Sequence, residues 1–294
     1  MAISVKPVHP DFVAEIGGVD LRQPVDAATL AEIVAALDRY AVVVLHDQKV
    51  TDAQQISFSG LLGPLETTIK KIRPGHKLRL DAHISDVSNL DEENRVLSGD
   101  DRRRMNGLGN RLWHTDSSFK RTPAKYSLLS ARAIPPTGGE TQFSDLRAAY
   151  DALPEATQRK IKNLVAEHCI MWSRAKIGFT DFSDEERAAL PPVPQVLVRT
   201  HPGSGRKTLY LASHADAIRG MALPEARMLL LDLMEHATQQ KFVYTHQWRL
   251  GDLVIWDNRC TMHRARDYDP TIPRDMHRTT VADSAPTVEQ AAAA

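Results

Sequence analysis

Cysteine is nearly absent: Cys169 and Cys260 are the only two in 294 residues. That excludes a disulfide framework and a cysteine-based zinc site, and it suits a reducing, cytoplasmic setting. An excess of one charge is absent too. The 37 basic and 37 acidic residues cancel, so broad attraction to nucleic acid or to an acidic membrane surface is not expected. Long hydrophobic runs are also lacking. Ala41 to Leu45 and Met228 to Leu231 fall far short of the roughly 20 residues that cross a bilayer. The opening MAISVKPVHPDF has no long apolar stretch, so no secretory signal is expected. Without an internal repeat or a low-complexity linker, one domain over residues 1–294 is expected, long enough to bury a core unaided.

What the chain does hold is a globular composition, 42% hydrophobic and 25% charged, with 12 histidines. Asp26 can cap a helix running to Tyr40, with Leu30, Ile33, Val34 and Leu37 at i, i+3, i+4 and i+7. Ala41 to His46 is a β-branched run that predicts a buried strand. Thr51 is placed to cap a second helix, which Gly63-Pro64 stops. Further helices are expected over 146–153, 155–164 and 224–237. Strands are expected over 111–116, 126–132, 165–172, 196–201, 208–213, 241–248, 253–257 and 275–282. Residues 67–110 are polar and irregular, and predict a mobile loop insert beside the site. Short strands with helices outside predict a mostly β fold, a sandwich or jelly roll.

The chemistry gathers around the segment from Trp113 to Phe119. On a strand, residues i and i+2 point the same way, so His114 and Asp116 would present an imidazole and a carboxylate on one face. One more histidine would complete the 2-His-1-carboxylate set of non-heme Fe(II) oxygenases. A solvated surface pair is the competing reading. His263 is the strongest third candidate, because an apolar strand after Gly251-Asp252 ends in polar residues and then delivers it; a loop histidine is the alternative. Arg274 follows eleven residues later and Arg278 four further on. With Met276 they would share a strand face, and two guanidiniums facing one pocket are costly unless carboxylates meet them. The bland alternative is a basic edge in solvent. Arg102-Arg103-Arg104 reads as a solvated patch, and Cys260 as inert.

These residues, with the stretches LWHTDSSF at 112–119, PPTGGETQF at 135–143, RAAYDALP at 147–154, RTHPGSGRK at 199–207, EHATQQKFVY at 235–244 and 251–264, make the chain similar to the Fe(II)/2-oxoglutarate-dependent taurine dioxygenase family over nearly its whole length. Within the family it resembles most the aryloxyacetate branch. The resemblance implies a cupin-like double-stranded β-helix core with flanking helices. It also implies Fe(II) as cofactor, with 2-oxoglutarate and O2 as cosubstrates. The expected reaction hydroxylates the ether-side carbon of an aryloxyacetate such as 2,4-dichlorophenoxyacetate, giving a phenol and glyoxylate with succinate and CO2.

Carried over residue by residue, His114, Asp116 and His263 resemble the iron ligands. Arg274 and Thr141 resemble the grip on the distal carboxylate of 2-oxoglutarate, and Trp256 a family aromatic near the iron. Arg278, Asn110, Ser117, Lys71, His201 and His214 fall on the substrate side, although Thr141, Trp256 and the last two histidines serve equally well as structural residues. The basic residues Lys70, Lys71, Arg73, Lys77 and Arg79 suit an anionic substrate without an amine, and depart from the taurine-binding pattern. The expected partner is a small anionic molecule, with neither nucleic acid nor membrane, and the expected assembly is a homo-oligomer. A taurine or alkylsulfonate dioxygenase is the first alternative. A non-catalytic jelly-roll binding protein is the second, disfavoured because loss of function would remove the need for a buried charge cluster.

Overall fold

The computed structural model describes residues 3–9, 12–72 and 77–293, and for Lys70 and Lys71 the backbone alone. Two sheets face each other. The larger has seven strands in the order Ser4–His9, Val13–Gly17, Val42–Leu45, Leu253–Asp257, Ala124–Ala133, Asp275–Ala282 and Ile84–Asp86. The smaller places Thr141–Asp145 between Val243–His246 and Thr261–Ala265.

Side-chain alternation decides the layers. Along Leu253–Asp257, Val254 and Trp256 pack with Phe143, from the smaller sheet, and with Val42, Val44, Leu129 and Met276. Leu253 and Ile255 turn the other way, onto helices Ala27–Tyr40 and Asp52–Leu61, and join Ile33, Leu37 and Phe58. Each such side chain stabilises the fold by about 1.5–3 kcal/mol on burial. A strand covered on both faces has no polar side to show, which is why Val42–Leu45 reads as an unbroken apolar run. The helix starts follow the sequence: Asp26 accepts from the Thr29 amide at 2.7 Å, and Thr51 forms a capping box with Gln54. A third apolar cluster packs helix Leu223–Ala237, through Leu230 and Leu233, with Leu146 and Ala149. This is the expected jelly-roll core with helices outside.

Several segments differ from expectation: the strand expected over 196–201 is broken at Leu197 and that over 208–213 ends at Leu209, and three further differences lie beside the site. Residues 111–116 form no strand. A 3-10 turn, Leu108–Arg111, leads in, only His114 makes a bridge, and Ser117 turns into the left-handed region at φ 52°, ending the extended run. The strand expected over 165–172 stops at His168, and Ile170–Ala175 is helical; a short buried apolar run looks alike in either form. Segment 67–110 is not one loop. Ile84–Asp86 joins the sheet edge beside Asp275–Ala282, and Arg102–Gly107 is a helix capped by Asp101. Arg79, expected to attract substrate, is instead bound to Asp86 and Asp275. The described residues of this segment, among them Ile69, Arg79, Ser85 and Asn106, line a cavity of about 310 Å3. Among the described residues no helix is long and apolar enough to cross a membrane.

Candidate active site

His114 and His263 come from segments 149 residues apart in sequence, yet they exchange both backbone hydrogen bonds, at 3.0 and 2.8 Å. That two-way bridge sets the rings side by side, centroids 4.2 Å apart. Asp116 completes the set, 3.9 Å from His114 Nε2 and 3.7 Å from His263 Nε2. All three side chains are buried, and their ligand atoms lie within 4.8 Å of one another.

This donor set fits a divalent metal. Burial holds the His114 imidazole down to about 4 and His263 well below its ordinary range, so both rings are neutral near pH 7. His114 Nδ1 lies 2.7 Å from the Leu112 carbonyl; that nitrogen therefore carries the proton, leaving the Nε2 lone pair for a metal. Burial alone would raise Asp116, but the Arg278 guanidinium, followed by the two imidazoles, holds it at about 2 and ionised. Two neutral nitrogens and one carboxylate are the ligands of a non-heme Fe(II) facial site.

A second cluster, His201, Asp257 and Cys260, also brings ligand-type atoms together. It does not fit a metal. Arg259 binds Asp257 at 2.9 Å through Nε, and His201 Nε2 lies 2.9 Å from the same carboxylate. His201 Nδ1 accepts from the Ser204 amide at 3.1 Å, which fixes the proton on Nε2. His201 is thus a satisfied histidine and does not line the cavity. Cys260, next to this pair, has its thiol pushed up by burial.

Both arginines expected from the sequence line the cavity. Arg278 donates through Nη1 to Asp116 Oδ1. Arg274 is buried, with no carboxylate partner among the described residues. Its Nη2 donates to the Gly139 carbonyl at 3.2 Å, and its guanidinium carbon lies 5.6 Å from the Tyr268 ring centre. Burial draws its pKa down. Gly139, at φ 75°, leaves it room: a Cβ there would stand 3.2 Å from Arg274 Nε.

The remaining expected residues divide. Asn110, Ser117 and His214 line the cavity. Ser117 Oγ donates to Glu66 at 2.7 Å, and His214 Nδ1 lies 2.9 Å from Ser173 Oγ, with its ring edge-on to Phe119. Thr141 is buried outside the lining, its Oγ1 accepting from Trp248 Nε1 at 3.1 Å. Trp256 is fully buried and packs on the His263 ring at 4.7 Å, a support for a ligand rather than a wall of the cavity. The Lys71 side chain lies outside the described residues, as does Arg73.

The other acidic groups of the cavity wall each hold a basic partner: Glu66 with Lys120, Asp86 with Arg79, Glu92 with Arg103, Glu186 with Arg102 and Asp267 with Arg111. The arginine patch at 102–104 is thus partly tied up in the wall. Sequence reasoning missed three residues. Ser127 and Asn258 hold Asp116 in place, and Asn258 sits inside the strand-end motif already singled out. Arg174, on the unexpected helix, lines the cavity and carried no sequence signal.

Comparison with known proteins agrees with this geometry. The chain is 44% identical to the alpha-ketoglutarate-dependent 2,4-dichlorophenoxyacetate dioxygenase of Cupriavidus pinatubonensis, over 97% of its own length and 99% of the relative's. It is 32% identical to the alpha-ketoglutarate-dependent sulfate ester dioxygenase of Pseudomonas putida, over 97% and 91%. A solved structure of AAD-2 in complex with Mn(II) and N-oxalylglycine superposes with a TM-score of 0.90 at 50% identity, covering 98% of this chain and 99% of that one. The family described as "Taurine catabolism dioxygenase TauD, TfdA family" matches residues 4–280, a span that includes all three ligands and both arginines: the chain belongs to that dioxygenase family.

Proposed function

We propose that the chain is an Fe(II)/2-oxoglutarate-dependent dioxygenase acting on aryloxyacetates such as 2,4-dichlorophenoxyacetate, hydroxylating the ether-side carbon. The observation that carries this reading is the buried Arg274, without a carboxylate partner among the described residues, in the cavity that His114 and Asp116 also line, with His263 beside them. Leaving one charge of a buried pair without its partner costs about 3–5 kcal/mol, so a ligand carboxylate that completes the pair is bound selectively.

His114, Asp116 and His263 would hold the iron. When bound, the iron would activate O2 at the expense of 2-oxoglutarate, which leaves as succinate and CO2, with one oxygen atom in succinate and the other in the new hydroxyl. The chain's own residues bind and orient. Arg274 takes the distal carboxylate of the cosubstrate through its planar fork, with Thr141 on the strand that Gly139 leads into. Arg278, held by Asp116, also lines the cavity and adds positive charge beside the substrate carboxylate. The described residues of 67–110 that line the cavity exclude water and hold the ether CH2 toward the triad. The hydroxylated carbon then bears both a hydroxyl and an aryloxy group. That hemiacetal breaks its C–O bond, releasing the phenol and leaving glyoxylate. With Cys169 and Cys260 both free and buried, the enzyme suits the reducing cytoplasm.

The relative from Pseudomonas putida favours a second reading, an alkyl sulfate or sulfonate substrate, since the same cations would grip either anion. The test is release of 2,4-dichlorophenol from 2,4-dichlorophenoxyacetate, matched to succinate, against sulfite release from taurine and alkylsulfonates and sulfate release from alkyl sulfates. Phenol release in step with succinate is expected. Sulfite or sulfate release faster by about tenfold, a barrier difference of about 1.4 kcal/mol, would overturn the reading.

A further inference from the structure

We infer that Arg174 receives the anionic group of the substrate and so determines which substrates the site accepts; this rests on the dioxygenase reading above. Arg174 stands on helix Ile170–Ala175 and lines the cavity, 6% exposed. Three neutral acceptors hold its guanidinium: Asn106 Oδ1 at 3.1 Å, Ser173 Oγ at 3.2 Å and Asn110 Oδ1 at 3.4 Å. No carboxylate among the described residues meets it. Burial without a counter-charge draws its pKa down to about 10, and the nearby Arg278 adds to the effect.

The charge pattern of the cavity singles it out. The acidic groups of the wall already hold basic partners, and Arg278 is engaged by Asp116. Among the described residues of the cavity, two buried guanidiniums remain without a carboxylate, Arg274 and Arg174, and the reaction brings two anionic molecules. One end of 2-oxoglutarate answers Arg274. Arg174, on the side of Asn110 and His214, answers the substrate. Neutral acceptors orient the guanidinium without neutralising it, which keeps its charge for a ligand. The backbone also makes room for it: a Cβ on Gly109 would stand 2.4 Å from Arg174 Cζ.

The test uses protein loaded with Mn(II) and the 2-oxoglutarate analogue N-oxalylglycine, so that no turnover occurs, titrated calorimetrically with 2,4-dichlorophenoxyacetate. Arg174→Gln is expected to weaken its binding by about thirtyfold or more, the scale of a lost charge-assisted contact. N-Oxalylglycine affinity should stay within about twofold of wild type. Gly109→Ala keeps the charge but displaces the guanidinium; it is expected to weaken substrate binding alone, and it carries the test if Arg174→Gln fails to fold. Unchanged substrate affinity in a folded variant overturns the inference, as does an equal loss of N-oxalylglycine affinity, the mark of a merely structural arginine. An octyl sulfate arm separates the two readings. If wild type binds octyl sulfate and not the aryloxyacetate, the aryloxyacetate reading falls. Arg174 is then judged on the sulfate, where a lost affinity in Arg174→Gln supports it and an unchanged one overturns it.

Discussion

Ser127 Oγ donates to Asp116 Oδ2 at 2.8 Å and accepts in turn from Asn258 Nδ2 at 2.9 Å. Asn258 Oδ1 accepts from the Asp116 amide and from the Trp256 indole, each at 3.1 Å. Asp116 is therefore fixed at its side chain and its backbone by two strands of the larger sheet and the turn after one of them, before any metal arrives. Ser127→Ala should weaken Mn(II) affinity by about 10–100-fold in a folded protein, the usual effect of removing a residue that orients a ligand. Asn258→Ala should do at least as much and also lower the melting temperature, because three buried groups lose their partner. Calorimetric titration with Mn(II) checks both; wild-type affinity in each variant would show that the network serves the fold alone.

Among the described residues Arg274 has no carboxylate partner, so its removal should be felt by the cosubstrate. In Arg274→Ala the 2-oxoglutarate KM is expected to rise on the order of a hundredfold or more, with a far smaller change for the aryloxyacetate. Initial rates with each varied in turn decide it. An unchanged 2-oxoglutarate KM would remove Arg274 from the cosubstrate site.

His263→Ala keeps the backbone bridge to His114 while deleting a ligand. Turnover should vanish and Mn(II) binding should weaken sharply, with the circular dichroism spectrum and cooperative melting retained. Full activity in this variant would sink the triad.

The sequence reveals the ends of the site better than its middle. The H-x-D spacing, His263 and Arg274 stand in patterns that a reader can find because each sits at the edge of a strand-like run. The register that brings His114 opposite His263 is a long-range backbone pairing, and nothing local encodes it. Misreading 111–116 as a strand still put His114 and Asp116 together, since the chain stays extended until Ser117. Arg174 was invisible because Val165 to Trp172 reads as one buried run, and the switch to helix at Ile170 depends on tertiary packing. The helix Asp184–Ala189 was legible and missed: Ser183 and Glu186 form a capping box. Segment 67–110 looked loose because its order comes from ion pairs such as Arg79 with Asp275, far apart in the chain.

The strand carrying Arg278 is also tied to helix Asp52–Leu61 by a titrating group. His277 Nδ1 lies 2.6 Å from Asp52 Oδ1, and its Nε2 lies 3.2 Å from Asp275 Oδ1. Burial alone would lower the pKa of His277, but Asp275 and Asp52 outweigh it and raise the value above 6.5. His277 in turn lowers Asp52, and, against burial, it and Arg79 hold Asp275 at about 2. A group with a raised pKa gives its full stabilisation below the unfolded value, here 6.5, and loses it as pH rises through the folded one. The depressed carboxylates give theirs above 3.8 and lose it as pH falls through their folded values. The network therefore stabilises most between about pH 4 and 6.5. His277→Gln should lower the melting temperature most in that window, and the gap to wild type should narrow toward about pH 9 and toward about pH 2. Melting scans of both proteins across that range measure the gap; one that stays constant with pH would show that His277 acts through packing rather than charge.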